Sequence, residues 1–262
     1  MRYNHSMAIR KPRVGDRWFV TNYFRGWNVF EIAFFIAALV VPLAIGIPLG
    51  SSALEIASSS ATLITAILFS KGKLEGYFLA LVAMTLYTIV AFRVELFGEM
   101  IIQVAIVFPI TIFGFVTWAR FRNKDKGDTV LVGYVGKREF IIIISTQLVM
   151  LIGYYFLLEA FNTRFAALGA ISIATAVVGN YLIARRCQFG PGVFIPSDIA
   201  LIVLWSLVIA DGGGAGAIVK LVMPIMFLIN DIYGIFEWRR LKREQVKNKV
   251  TCDPDIFDPC FH

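Results

Sequence analysis

Eight long apolar stretches constrain this chain more than any other feature of its sequence. Each is about 20 residues long, which is the length a helix needs to cross the hydrocarbon core of a bilayer. Of the 262 residues 58% are hydrophobic and 16% are charged, a composition that does not suit a soluble domain. The sequence therefore predicts an all-α integral membrane protein. The predicted spans are residues 27–47, 53–69, 74–92, 97–121, 140–158, 165–184, 193–210 and 215–241.

The lysines and arginines predict the orientation of these spans. If the N-terminus is cytoplasmic, 22 of the 25 positive residues fall on segments that face the cytoplasm, which is the side where membrane proteins concentrate them. The exceptions are Arg93, Arg164 and Lys220. We therefore predict that both termini and the charged loop 122–139 are cytoplasmic. The net charge of +7 then reflects orientation and contact with anionic lipid rather than nucleic-acid binding.

Two parts of the chain resemble each other at a nearly constant offset. Lys71 matches Arg185 at an offset of 114, and the Gly-x-x-x-Trp pattern of residues 114–118 recurs at 234–238, an offset of 120. Each half contains three spans, and the fifth span between them makes the two repeats parallel, as in several transporters. The predicted division is 1–52 for the N-terminus and an extra helix, 53–121 for the first repeat, 122–160 for the loop and linking helix, 161–243 for the second repeat and 244–262 for a cytoplasmic tail.

Polar residues on the last span are the first candidates for a binding site, because a polar group at membrane depth is costly unless it is paired or faces a cavity. Asn230, Tyr233 and Trp238 fall with Gly234 and Glu237 within an arc of roughly 140° on one side of a helix. Such a face suits a flat ligand with polar edges, such as a nucleoside. Alternatively, the two aromatic residues belong to the interfacial belt, and the amide bonds a neighbouring helix.

Six further residues are candidates for substrate contact. Amide groups can bond a ribose or a carboxamide, and aromatic rings can stack on a flat ring. The alternatives are helix packing for the amides, a helix cap after Pro196 for the aspartate, and the interfacial belt for the aromatic residues. The spans show no cluster of carboxylates in sequence, which favours transport without ion coupling. The six candidates are Gln103, Asn180, Asp198, Tyr87, Trp118 and Trp205.

The sequence predicts neither an enzyme nor a metal site, and it indicates no cofactor. The two histidines are His5 and His262, outside every predicted span, and Cys187, Cys252 and Cys260 have no CxxC spacing. No nucleophile with a base and no paired carboxylate motif is recognisable in the spans.

The chain resembles the PnuC family of bacterial nicotinamide riboside transporters in two respects. It has two three-helix repeats joined by a linking helix, with a long cytoplasmic loop before that helix, and its last span carries the pattern Asn230-x-x-Tyr233-Gly234-x-x-x-Trp238. The resemblance implies uptake of this riboside across the bacterial inner (plasma) membrane by facilitated diffusion, with trapping by a cytoplasmic riboside kinase. It also implies a site between the repeats. Membrane lipid is a further expected partner, and a homo-oligomer is an open alternative. SWEET-type carriers share this helix plan, so a carrier for another vitamin or a small polar solute such as a sugar is the alternative function.

Overall fold

Eight helices that are long and apolar enough to cross a membrane make up most of the part of the chain that the structure describes. The computed structural model describes residues 24, 26–93, 100, 102–123, 129–212 and 215–247, so Cys252, Cys260 and both chain ends lie outside the described residues. The predicted all-α membrane protein with eight spans is confirmed. The helices are α1 Val29–Gly46, α2 Ala53–Ser70, α3 Glu75–Arg93, α4 Phe108–Arg120, α5 Lys137–Ala160, α6 Ala166–Ala184, α7 Gly190–Ala210 and α8 Ala215–Lys247.

Local sequence signals set several of the helix ends. Asn28 caps α1 and Ser52 caps α2, and in both cases a glutamate three residues later completes a capping box. Helix α7 begins at Gly190, three residues before the predicted start, because Pro191 is compatible with the first turn of a helix. Helix α8 continues to Lys247, six residues past the predicted end, because apolar length marks only the part within the membrane. A π-helical turn, Gln103–Val107, leads directly into α4.

The packing of six helices forms a closed circuit that contains both repeats. Helix α2 contacts α3, α3 contacts α4, and α4 contacts α6. Helix α6 then contacts α7, α7 contacts α8, and α8 contacts α2, which closes the circuit. The extra helix α1 packs outside this circuit against α2, and the linking helix α5 packs against α6. Much of α5 is exposed and apolar, including Ile142, Val149 and Phe156, as expected for a helix that faces lipid.

The two repeats make equivalent contacts across their shared boundary. The Trp118 indole N–H on α4 donates to the Ile183 carbonyl on α6 at 2.8 Å, and the Trp238 indole N–H on α8 donates to the Phe69 carbonyl on α2 at 3.0 Å. Trp118 and Trp238 are 120 residues apart, and Phe69 and Ile183 are 114 apart, which are the offsets found in the sequence. The two parallel repeats are therefore visible in the structure, while the boundaries at 53–121 and 161–243 stay a prediction.

The turns that follow the first helix of each repeat are also equivalent. Gly72 after α2 has φ of 66°, and Arg186 after α6 has φ of 60°, so both residues are left-handed. This conformation costs little for glycine and is uncommon for arginine. The buried Arg186 guanidinium lies 3.6 Å from the Phe121 ring and donates to the Leu131 carbonyl at 3.0 Å, contacts that fix the residue in place.

A short segment between the repeats joins these two turns. Strands β1 (Arg122–Asn123) and β2 (Thr129–Val130) pair antiparallel. The Val130 N–H donates to the Gly72 carbonyl and the Gly133 N–H donates to the Arg186 carbonyl, both at 2.9 Å. We call the end of the bundle that carries this segment and the turns 71–74 and 185–189 the loop side. The other end, where Arg164 pairs with Asp211, is the opposite side.

Gly114 offers a test of how tightly the first repeat is packed. A Cβ at this position would lie 2.4 Å from the Tyr77 ring, which is buried and cannot withdraw, whereas a Cβ at Gly153 on α5 would meet nothing within 4 Å. We expect Gly114→Ala to destabilise the protein by about 1–3 kcal/mol and to lower its melting temperature in detergent. The matched variant Gly153→Ala should melt like the parent. Equal melting of both variants would contradict the packing described for α3 and α4.

Candidate functional site

An aromatic plug closes the bundle at the loop side, where the two repeats meet. Trp118 and Trp238 are fully buried, with ring centroids 5.8 Å apart, and each uses its one hydrogen-bond donor on a backbone carbonyl. In this arrangement both candidate residues are part of a packed core, and a role in substrate contact stays a prediction. The remaining members of the plug are Tyr77, Val130, Val132, Ile183 and Leu241.

The extension of α8 holds the segment between the repeats against this plug. Gln245 donates to the Val130 carbonyl at 3.2 Å and accepts from the Val132 N–H at 3.0 Å. Val130 and Val132 are buried among the other members of the plug, and we call residues 130–132 the strap. Sequence analysis did not identify Gln245, because it lies beyond the apolar stretch that marks the last span. The loop side is therefore closed by apolar packing together with hydrogen bonds from a side chain to the backbone.

Tyr233, a candidate from the last span, faces the extra helix α1. Its ring lies 4.5 Å from the Phe30 ring, between centroids. Its hydroxyl donates to Glu31 Oε1 at 2.5 Å and accepts from Asn28 Nδ2 at 3.0 Å. Helix α1 therefore covers the Tyr233 face of α8 and satisfies its hydroxyl.

A buried ion pair connects α1 to the end of α2. Lys71 Nζ lies 2.5 Å from Glu31 Oε2, and the two side chains are only 7% and 2% exposed. Lys71 also lies 4.8 Å from the centroid of the Trp27 ring. Sequence analysis missed this pair, although Glu31 is the only charged residue in the first predicted span, which is a signal that it needs a partner.

Asn230 and two aspartates form a polar cluster where α2, α7 and α8 meet. The fully buried Asn230 accepts from Ser70 Oγ at 3.2 Å and donates to Asp231 Oδ1 at 3.2 Å. The carboxyl groups of Asp198 on α7 and Asp231 on α8 lie within hydrogen-bonding reach of each other. The expectation of no clustered carboxylates was wrong, because these residues are 33 positions apart and only helix packing brings them together.

The other candidates make no hydrogen bond to this cluster. Asn180 donates to the Ala176 carbonyl of its own helix at 2.8 Å, and Gln103 is half-buried in the π-helical turn. Tyr87 on α3 is 36% exposed. Trp205 lies on α7 towards the opposite side, with Lys220 Nζ 4.6 Å from its ring centroid. Their roles in binding stay predictions.

The loop side also carries a basic cleft. It has a volume of about 430 Å³ and is lined by Gln188, Arg239, Lys242, Arg243, Val246 and Lys247. Nearby, burial raises the pKa of the Cys187 thiol, so this cysteine stays protonated at neutral pH and reacts slowly. Within the described residues, no three His, Cys, Asp or Glu side chains are grouped as a metal site requires.

Comparison with known proteins gives consistent matches over most of the chain. A family model described as nicotinamide mononucleotide transporter matches residues 52–240. The nicotinamide riboside transporter PnuC of Neisseria mucosa is 22% identical over 243 residues, which are 90% of this chain and 92% of that protein. The protein of the same name from Haemophilus influenzae is 23% identical over 82% of this chain and 92% of its own length.

A solved structure, the crystal structure of the vitamin B3 transporter PnuC, matches with a TM-score of 0.71. The match covers 88% of this chain and 99% of that chain at 21% identity. At this level of identity, the match shows that the two proteins share a fold.

The Glu31–Lys71 pair can be tested through stability. Lys71→Met leaves the Glu31 carboxylate buried without its cation, so we expect a loss of about 3–5 kcal/mol in the free energy of unfolding. The double variant Glu31→Gln, Lys71→Met removes both charges and should recover much of this loss. Thermal unfolding of the purified protein in detergent measures both changes. A double variant as unstable as Lys71→Met alone would contradict a direct pairing.

Proposed function

The chain belongs to the family of nicotinamide mononucleotide transporters, and from this premise we propose that it imports nicotinamide riboside by facilitated diffusion. The family description names the mononucleotide, whereas both relatives from Neisseria and Haemophilus are named as riboside transporters. The two substrates differ by one phosphate group. The charges inside the bundle therefore bear on the choice between them.

The single observation that carries the proposal is the acidic interior of the second repeat. A mononucleotide adds a phosphate of about −1.5 to −2 charges, which must be desolvated and met by cations. The buried acidic pair Asp198 and Asp231 repels such a group, and Lys71 is already paired with Glu31. Four cations line the surface cleft, at residues 239–247, rather than the interior. This distribution supports the riboside, whose ring carries one positive charge.

We place the transport path between the two repeats, as in other transporters with parallel repeats. The proposed site includes Asn230, with Gln103 and Asn180 contributing from the first repeat and from α6. Opening towards the loop side then requires the Trp118–Ile183 and Trp238–Phe69 hydrogen bonds to separate. Trp118 and Trp238 reach the substrate only after the plug opens, and Tyr233 only after it separates from α1. Tyr87 and Trp205 are proposed aromatic contacts nearer the opposite side.

Trapping follows from the same charge argument. A cytoplasmic riboside kinase adds a phosphate that an acidic interior disfavours, so the product does not return through the carrier. We therefore propose that the loop side is cytoplasmic and that the protein lies in the bacterial inner membrane. The acidic pair could bind a transported proton, so the transport experiment includes a pH gradient.

Binding and transport measurements test the substrate. We expect nicotinamide riboside to bind the purified protein at least about tenfold more tightly than the mononucleotide or a hexose. Asn230→Leu should weaken riboside binding about 2–10-fold, because it removes one buried hydrogen-bonding group. Proteoliposomes without any ion gradient should equilibrate labelled riboside in both directions. Preference for the mononucleotide or the hexose, or uptake that needs a sodium or pH gradient, would reject the proposal.

The two ends of α5 provide a test of orientation. In a background without the native cysteines, a cysteine at Lys137 on the loop side should resist an impermeant thiol reagent added to intact cells. A cysteine at Thr163, beyond the other end of the helix, should react. Both positions are exposed, so burial does not explain a difference between them. The reverse pattern would mean that the loop side faces outwards.

A further inference from the structure

The pair Asp198–Asp231 is the most unusual electrostatic feature of the bundle interior. The two residues are 5% and 9% exposed, and their carboxyl groups lie within hydrogen-bonding reach. Asp231 accepts from Asn230, whereas the buried Oδ2 atom of Asp198 has no hydrogen-bond partner. A buried oxygen without a partner costs free energy, so this atom points to a proton or a ligand that completes the pair.

No cation of the surrounding helices compensates this pair. From the end of α2, Lys71 faces Glu31, and on α8 Glu237 faces Arg240. From α6, Ser172 bonds Ser197, the neighbour of Asp198 on α7, at 3.1 Å. Within the described part of the chain, neither aspartate forms an ion pair with a lysine or arginine, and the ionisable group next to each carboxyl is the other aspartate. Two adjacent carboxylates cannot both stay ionised in such surroundings, so one proton is shared between them.

The position of the pair fits a ligand that approaches from the opposite side. Asp198 is eight residues from the loop-side end of α7, roughly 12 Å along the helix, and Asp231 is seven residues from Trp238 in the plug, roughly 10 Å. Trp205 is two turns from Asp198 on the same face of α7, because seven residues return nearly to the same angle. A ligand that enters from the opposite side and stops at the plug therefore lies near both the Trp205 ring and the Asp198–Asp231 pair.

We propose that the Asp198–Asp231 pair, holding one shared proton and one negative charge, is the counter-ion for the cationic ring of the transported riboside. This inference rests on the proposed function and adds the residues that select for charge. A single negative charge matches a ligand with a single positive charge, and a desolvated pair of opposite charges attracts more strongly than the same pair in water. Asn230, bonded to Asp231, fixes the orientation of the carboxyl that faces the ligand.

A neutral analogue of the same shape tests the charge directly. Nicotinamide riboside carries a pyridinium ring, and benzamide riboside replaces it with an uncharged phenyl ring. We expect the parent protein to prefer the cation by at least about tenfold. The double variant Asp198→Asn, Asp231→Asn should lose this preference while still binding the neutral analogue. Each single variant retains one carboxylate, bonded by the new amide, and should keep the preference within about threefold.

The matched control is Glu159→Gln on the linking helix, which removes a carboxylate outside the six-helix circuit and should leave the preference unchanged. If the double variant does not fold, the parent protein provides a second measurement. Acidification protonates the second carboxyl as well, so the preference for the cation should decline as the pH falls. A preference that persists in the double variant, or that does not change with pH, would overturn the inference. Failure of the parent protein to bind either riboside would instead refute the proposed function.

Discussion

Two tryptophan hydrogen bonds hold the repeats together, and the rest of the bundle depends on them. Each indole donates to the backbone carbonyl near the loop-side end of the first helix in the other repeat. Each carbonyl also accepts from the turn that follows its helix, Phe69 from the Gly72 N–H at 3.0 Å and Ile183 from the Arg186 N–H at 2.9 Å. The tryptophan therefore uses the second lone pair of a carbonyl that one backbone bond leaves half satisfied. Because the donor and the acceptor come from different repeats, neither half closes its loop side alone. The strap at Val130 and Val132 then seals the junction.

Polar groups inside the bundle fall into two kinds. The first kind is fully partnered and holds helices together, as Glu31 does when it binds Lys71 and Tyr233 at once. The extra helix α1 is attached through this pair as well as by apolar contact. The second kind is incompletely partnered, and the Asp198 carboxyl is the clearest case. A ligand site needs hydrogen-bonding capacity that is left to bind, and the Asp198 carboxyl has it.

The separation of charges along the bundle gives the carrier a direction. Negative groups lie inside the second repeat, and positive groups gather at the loop-side surface around the cleft of α8. Under the proposed function, such an interior favours a cationic substrate over a phosphorylated product. The difference between substrate and product then needs no ion gradient to be useful. The plug lies between these two regions, so the proposed transport path passes through it.

The sequence alone determined the eight spans, because a bilayer of fixed thickness imposes a length that apolar residues reveal. It also determined the repeat, since Trp118 and Trp238 stand at a fixed offset and make equivalent bonds. It did not predict the Asp198–Asp231 pair or the Glu31–Tyr233 contact, which span 33 and 202 positions. Only the tertiary structure decided these, because the rotation of each helix about its axis is set by packing against its neighbours. The same rotation turned Tyr233 towards α1 and Asn230 towards α2, although the sequence placed both on one face.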